Sequence, residues 1–568
     1  MGVRGLLSTC LRNSNACSDT FDLVKEARQQ NGIELIVDYS SFKHHILLKF
    51  WIGLSKLRRN DYLYILGGEY ASLHNYVTKL VNDLKSRGIH LVFYIDGEKG
   101  SSIEGSEQKL DTWKKRHMED TERLSLIFNV LQQKTDISKL PWETQINPVL
   151  LDDQFMASLR LCDCEIHQSP AGEADLPIIR ALRDRPKAFA ILSNDADFCV
   201  FKESRLIPDK LFDIENDLKL REPRELPEQP RKLIVKVIST ENVMAMLGKL
   251  AINTNIPYLH VSVMEILLVE MSIVAGNDYT GPYMQRALIP TEYTAIRSMS
   301  NLTYRTLPTG SKLSEKLTRI HIWLTKHDPG FRQAVIHSRN FYNLIADSDK
   351  CPQKGDFSQD KICSGQYPSN IMSMHNHFYW YRMLLEDNRL ESCLSHRYVL
   401  TSTTLFSRKT SSCTHIQQVE AKANVHAPPL DTIEPDKILD NLETVHTFTS
   451  TGATVNWFER YGRKKGFICY ILRYFLLLNW RQNLQVIEDE FLALVAMVMG
   501  RWGEKKYQAI VIRPTVRCVT IGNWIQDVYR HGYHMFGSVL HIRHEFPLPR
   551  ELFSGSVWTA MYMVCQDA

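Results

Sequence analysis

Seven carboxylates carry the chemical argument. Asp38 closes the apolar run Leu35-Ile36-Val37, Asp96 closes Leu91-Val92-Phe93-Tyr94-Ile95, and Asp195 follows Phe189-Ala190-Ile191-Leu192 through Ser193-Asn194. Asp197 stands two residues beyond Asp195. Glu173 and Asp175 form an acidic pair in Pro170-Ala171-Gly172-Glu173-Ala174-Asp175, and Asp278 lies in Ala275-Gly276-Asn277-Asp278-Tyr279 after the apolar stretch Ile266–Val274. Each has a purely structural use open to it. An Asp after a strand caps the next helix, the 173/175 pair suits a helix start with Pro177 in the first turn, and Gly-Asn-Asp makes an ordinary turn. Packed together, however, seven carboxylates would repel one another. Their natural neutraliser is a pair of hard divalent cations with oxygen ligands, Mg²⁺ or Mn²⁺. Two such ions about 4 Å apart can activate a water and stabilise the leaving oxygen of a phosphodiester. The chemistry that follows, if the seven converge, is metal-assisted phosphodiester hydrolysis.

The elements that must position them are legible around the acids. Short continuous apolar runs suit strands buried on both faces, as in a parallel sheet. Between them, Tyr70–Arg87 carries Leu73, Tyr76, Val77, Leu80 and Leu84 at helical spacing with Gly88 as a stop, and Leu110–Leu131 shows a similar pattern. Strands alternating with helices predict an α/β sheet. The carboxyl ends of its parallel strands, where Asp38, Asp96 and Asp195 would sit, form the ligand-binding edge of such sheets. Gly97–Gln108 reads as a loop, Asp213–Lys232, with Pro223, Pro227 and Pro230, as a surface excursion, and Thr401–Asp440 as a linker. No segment recurs at a recognisable period.

The chain has 568 residues, 44% apolar and 23% charged, which excludes a disordered or fibrous protein. Its length suggests two to four domains at roughly 150 residues each. The balance of 68 basic and 64 acidic residues leaves a net charge of +4, too weak to announce or exclude a nucleic-acid partner. Twelve cysteines are too sparse for a disulfide scaffold. The first residues lack the apolar run of a signal peptide, and Leu6 replaces the Ser/Thr of a myristoylation motif. Gly466–Trp480, interrupted by Arg473, and Phe491–Gly500 are too short to span a membrane and read as buried helices. A soluble intracellular protein with reduced thiols and no membrane partner is expected.

In order along the chain, Met1-Gly2-Val3-Arg4-Gly5-Leu6, Val37-Asp38-Tyr39-Ser40, Ile95-Asp96-Gly97, Glu173-Ala174-Asp175, Ser193-Asn194-Asp195-Ala196-Asp197 and Gly276-Asn277-Asp278-Tyr279 resemble the motifs of the flap endonuclease/XPG-type nucleases. Gly67-Gly68-Glu69-Tyr70 before a helix and Asp195-Ala196-Asp197-Phe198-Cys199 resemble the asteroid branch of that family. The resemblance spans roughly residues 1–290 and implies a PIN-like twisted parallel sheet flanked by helices; beyond it, the residue pattern reads as a mainly helical C-terminal region. It implies two Mg²⁺ or Mn²⁺ ions, the first held by Asp38, Asp96, Glu173 and Asp175 and the second by Asp195, Asp197 and Asp278. It implies that Gly2 and Arg4 lie near the substrate, and that Lys109, Lys114, Lys115 and Arg116, after Asp96, could serve as a basic arch. The implied activity is structure-specific endonuclease cleavage of single-stranded, flap or overhang DNA in repair, with single-stranded or branched DNA as partner and the nucleus, with the cytoplasm also open, as compartment. One departure stands out. Flap endonucleases follow the last Asp with a glycine-rich duplex-gripping motif, whereas here Tyr279-Thr280-Gly281-Pro282-Tyr283-Met284 lacks the Gly-x-Gly pattern.

Other features carry less. Lys114-Lys115-Arg116 beside Trp113, and Lys56, Arg58 and Arg59, could contact a nucleic-acid strand or be surface charge. Arg463-Lys464-Lys465 is a weak nuclear-import candidate. Cys393, His396, Cys413 and His415 are poorly spaced for zinc, and Cys162-Asp163-Cys164 reads as a strand entering the core. The expected organisation is a nuclease-like domain at 1–290, a helical extension at 291–400, a linker at 401–440 and an α+β region at 441–568. That last half has no chemical motif, and a protein partner there is an open reading. The rival function is a catalytically silent nucleic-acid-binding or signalling scaffold on the same fold, since fold does not fix function.

Overall fold

The computed structural model describes residues 2–96, most of 122–168, 174–212, 232–251, 261–277, 279–286, 328–343, 397–404, 414–421, 485–498, 513–534 and 547–567, with short stretches near 318–326 and 462–476. The chain opens with α1 (Leu6–Arg12) and α2 (Ser14–Cys17), then β1 (Ser18–Asp22), α3 (Leu23–Gln29), β2 (Ile33–Asp38) and the long α4 (Tyr39–Arg58). After α5 (Leu63–Leu66) come α6 (Tyr70–Ser86), β3 (Ile89–Ile95), α7 (Leu151–Leu161), β4 (Glu165–Gln168), α8 (Asp175–Asp184) and β5 (Ala188–Leu192). A 3-10 turn, Ala196–Cys199, leads to β6 (Arg205–Ile207) and β7 (Ile234–Ser239), followed by α9 (Thr240–Ala251), α10 (Val261–Ala275), α11 (Gly281–Arg286) and α12 (Pro329–Tyr342).

Seven strands form one sheet in the order β1-β7-β6-β5-β2-β3-β4. The pairs β6–β5, β5–β2, β2–β3 and β3–β4 are parallel. The expected all-parallel sheet is corrected at one side: β7 runs antiparallel to β6, and β1 antiparallel to β7. Open α/β sheets tolerate such strands at an edge, because no crossover helix must cover the added pair.

The central strands are buried on both faces, and their side chains divide accordingly. Leu35, Val37, Leu91, Phe93, Ala190 and Leu192 point into one apolar core with α4, α6 and α7. Ile36, Val92 and Ile191 point into the other with α1, α8, α9, α10 and α12. The alternation is the two-residue period of a strand. Helix α6 matches its predicted span to within one residue. Cys162-Asp163-Cys164 is corrected: Cys162 ends α7 and Asp163 turns with φ of 50°, so β4 begins only at Glu165.

The C-terminal half also departs from expectation. Strands β8 (Arg397–Thr404) and β9 (Thr414–Ala421) pair as an antiparallel hairpin across the stretch read as a linker. Farther on, α13 (Glu488–Ala496), α14 (Val516–His534), α15 (Pro549–Leu552) and α16 (Gly555–Asp567) follow. Val519 of α14 joins the core beneath α4 and α6. Tyr70 Oη donates to Gln526 at 2.6 Å, the Arg550 N–H to Gln154 Oε1 at 2.9 Å, and Arg513 to the Val130 carbonyl at 2.9 Å. These helices therefore pack on the sheet-bearing part of the chain. Gly466–Trp480 and Phe491–Gly500 behave as buried helices where described, with Phe467, Ile471, Phe475, Ala493 and Leu494 inside. Among the described residues, no helix is long and apolar enough to cross a membrane.

Candidate metal centre

The sheet order explains why carboxylates meet. The chain leaves β2 toward β3 and β4 on one side, then returns through β5 and β6 to the other, so β2 and β5 flank the point where the winding reverses. In open α/β sheets, helices diverge at such a point and the carboxyl ends of the strands form the ligand-binding edge. Asp38 ends β2, Asp96 follows β3, and Asp195 lies three residues beyond β5. All three therefore arrive at one edge.

The capping use of these residues is real as well. Asp38 Oδ1 accepts from the N–H groups of Ser40 (3.0 Å) and Ser41 (3.3 Å) and so starts α4, while its Oδ2 accepts from Ser193 Oγ at 2.8 Å. Asp195 Oδ1 caps the 3-10 turn through the Asp197 N–H at 2.9 Å. Asp96 Oδ1 accepts from the Ala174 N–H at 3.1 Å, which ties β3 to the start of α8. Capping fixes each carboxylate while leaving acceptor capacity, since an ionised carboxylate offers about four lone-pair sites.

Asp175, at the first position of α8, Asp195 and Asp197 each place one oxygen within 4.8 Å of the others, a spacing fit for a shared cation. Asp38 adjoins them. Burial, and next the charge of Asp96, push its carboxyl up to about 7, and Asp195 adds to the rise against the hydrogen bonds from Ser193 and Ser41. Donors of this kind, hard oxygens in an acidic, partly enclosed crevice, match Mg²⁺ or Mn²⁺ better than softer metals. The structure thus brings together Asp38, Asp96, Asp175, Asp195 and Asp197. It groups Asp175 with Asp195 and Asp197, whereas the resemblance assigned Asp175 to the other ion. Glu173, Asp278 and the basic residues Lys109, Lys114, Lys115 and Arg116 lie outside the described residues.

Gly2 sits against Asp195. Its φ is +78°, and a Cβ there would fall 2.1 Å from Asp195 Oδ1 and 2.8 Å from the Asp197 nitrogen. Only glycine tolerates both the left-handed backbone and that approach. Arg4 is exposed, and its N–H donates to the Gly276 carbonyl at 3.0 Å. Arg58 is engaged within the fold: its guanidinium meets Glu69 at 2.7 Å and Ser72 Oγ at 2.8 Å.

Two supporting residues escaped the sequence reading. Asp209 Oδ2 accepts from Ser41 Oγ (3.0 Å) and Asn194 Nδ2 (2.7 Å), and the Asp209 N–H donates to Asn194 Oδ1 at 3.1 Å. The Ser193-Asn194 turn is thereby fixed between Asp38 and Asp209, whose carboxyl burial pushes up to about 6. The signal was present, because Leu206-Ile207 before Pro208-Asp209 is another apolar run ending near an Asp, but β6 is only three residues long. The second residue is Tyr342, whose hydroxyl donates to Asp197 Oδ1 at 2.7 Å. No local pattern marks it. The chain matches no protein-family model and no curated protein.

Proposed function

We propose that this acidic edge is a divalent-cation centre, and that the chain is a metal-dependent phosphodiesterase of the flap endonuclease/XPG type on a PIN-like sheet. On this reading it is a structure-specific endonuclease for single-stranded, flap or overhang DNA, serving repair in the nucleus. The observation that carries the reading is the convergence of the Asp175, Asp195 and Asp197 oxygens to within 4.8 Å, beside Asp38 and Asp96, at the crevice where the sheet reverses. Asp38, Asp96, Asp175, Asp195 and Asp197 would hold the cations, joined by Glu173 and Asp278 on the sequence resemblance. Bound there, two Mg²⁺ or Mn²⁺ ions supply an activated water and charge stabilisation for the leaving oxygen. The chain's own part is to hold the carboxylates still through their caps. Arg4, exposed at the rim, is suited to a backbone phosphate.

The test incubates purified full-length protein with labelled single-stranded, flap and 3′-overhang DNA in Mg²⁺ or Mn²⁺, beside Asp195→Ala. Cleavage by the wild type that the variant lacks is the expected result. Equal cleavage by both overturns the reading. Metal binding without cleavage of any substrate transfers the assignment to a nucleic-acid-binding scaffold on the same fold.

A further inference from the structure

Tyr342 ends α12, more than fifty residues past the stretch whose motifs resemble a nuclease, yet its side chain reaches the acidic edge. It is 3% exposed. Its hydroxyl donates to Asp197 Oδ1 at 2.7 Å and accepts from Asn277 Nδ2 at 3.3 Å. Asn277 is held in turn. Its Nδ2 donates to Ser338 Oγ at 3.0 Å, and its Oδ1 accepts from the Tyr279 and Thr280 N–H groups at 3.1 and 3.0 Å. Rings lock the tyrosine from the sides: Phe201 lies 5.4 Å away and Phe341 5.3 Å, both edge-on. One buried phenol thus joins an acid of the cluster to Asn277, which in turn holds the Tyr279 and Thr280 N–H groups.

We propose that Tyr342 is a positioning residue for the metal centre, presetting Asp197 as a ligand through its hydroxyl. This inference rests on the metal-centre reading above. A carboxylate on a short side chain rotates, and each rotation moves its oxygens relative to Asp175 and Asp195. A buried donor on one oxygen fixes the plane of the group and leaves acceptor sites for a cation. Partners of this kind set metal affinity by orienting the ligands, and their loss typically weakens binding 10- to 100-fold. Helix α12 is thereby part of the site and not an appendage to it.

Three full-length proteins separate the outcomes: wild type, Tyr342→Phe and Phe331→Leu. Tyr342→Phe deletes one oxygen and keeps the ring contacts. Phe331→Leu loosens the same helix eleven residues earlier, where Phe331 packs edge-on against Tyr283. Mn²⁺ affinity is read from the free-ion electron paramagnetic resonance signal during titration, and metal-free stability from melting in EDTA. The expected result is Mn²⁺ binding about 10- to 100-fold weaker in Tyr342→Phe, with wild-type affinity in Phe331→Leu despite a lower Tm. Unchanged affinity in Tyr342→Phe, equal weakening in Phe331→Leu, or a Tyr342→Phe chain that cannot fold would each overturn the positioning role. A wild type that binds no Mn²⁺ overturns the metal centre itself, a failure distinct from the other three.

Discussion

Two buried acidic sites in this molecule handle charge in opposite ways. Glu69, 3% exposed, is matched on every side. Arg58 meets Glu69 Oε2 at 2.7 Å, and Oε1 accepts from Ser554 Oγ (3.1 Å), the Ser556 N–H (2.9 Å) and Ser556 Oγ (2.7 Å). The acceptor thus lies at the start of α16, where unmet N–H groups and the helix dipole favour a negative charge. Gly68 next to it, with φ of +70°, lets Phe553 approach so closely that a Cβ would lie 2.3 Å from its ring. At the sheet edge, by contrast, carboxylate neighbours carboxylate, and burial, together with the charges of Asp96 and Asp195, drives Asp38 upward. The first arrangement closes the fold and asks for nothing more. The second is costly by itself, and a bound cation would turn that cost into affinity.

The comparison breaks first at Glu69. Glu69→Ala strands the Arg58 guanidinium and the Ser554 and Ser556 donors and loosens the seat of α16 on the sheet-bearing part. A loss of about 3–5 kcal/mol is expected, as for other buried pairs deprived of one partner, read from urea unfolding. Glu69→Gln, which keeps an acceptor, should lose less. A loss below about 1 kcal/mol in Glu69→Ala would mean that the socket is decorative.

The opposite sign is expected at the acidic edge. Asp38→Asn keeps an acceptor for the α4 cap and removes a repelling charge, so the metal-free protein should gain stability at pH 8, by up to about 4 kcal/mol at roughly 1.4 kcal/mol per pH unit of displacement. The pH dependence follows. With its carboxyl at about 7 in the fold against an ordinary 3.8, Asp38 keeps a proton that the unfolded chain has released. Its contribution is therefore fully present below pH 4, declines as pH rises to about 7, and is flat above. Melting curves of metal-free wild type and Asp38→Asn should diverge across that window and coincide below it. A variant less stable than wild type at pH 8 would contradict the repulsion.

The smallest effect sharpens the boundary of the site. Gly2→Ala forces a left-handed backbone on alanine, at about 1–2 kcal/mol, and pushes its methyl toward Asp195. Mn²⁺ affinity should fall with only a modest change in Tm. An affinity equal to wild type would place Gly2 outside the site's influence.

Much of this was legible in the sequence because strands buried on both faces announce themselves as unbroken apolar runs. Asp38, Asp96 and Asp195 could be placed at one edge on that pattern alone. What escaped had no local signature. Whether Asp175 groups with Asp195 or with Asp38 depends on the angle at which α8 leaves the sheet. Arg58 stayed open between a nucleic-acid contact and surface charge because its partner Glu69 is identified only by the turn between α5 and α6. Tyr342 and Val519 come from segments distant in sequence, and long-range packing recruits them without altering their local pattern. The antiparallel β7 and β1 have six and five residues, the same lengths as the parallel β2 and β5, so neither length nor pattern announces their direction.

The central claim, that the edge is built around divalent cations, is tested most directly by the melting temperature of the full-length chain with and without millimolar Mn²⁺, beside Asp195→Asn. A ligand that binds only the native state stabilises by mass action, by about 2.7 kcal/mol at a hundred times its Kd. A clear rise in wild-type Tm that Asp195→Asn lacks is the predicted result. A wild-type Tm indifferent to Mn²⁺, or an equal rise in the variant, would contradict it.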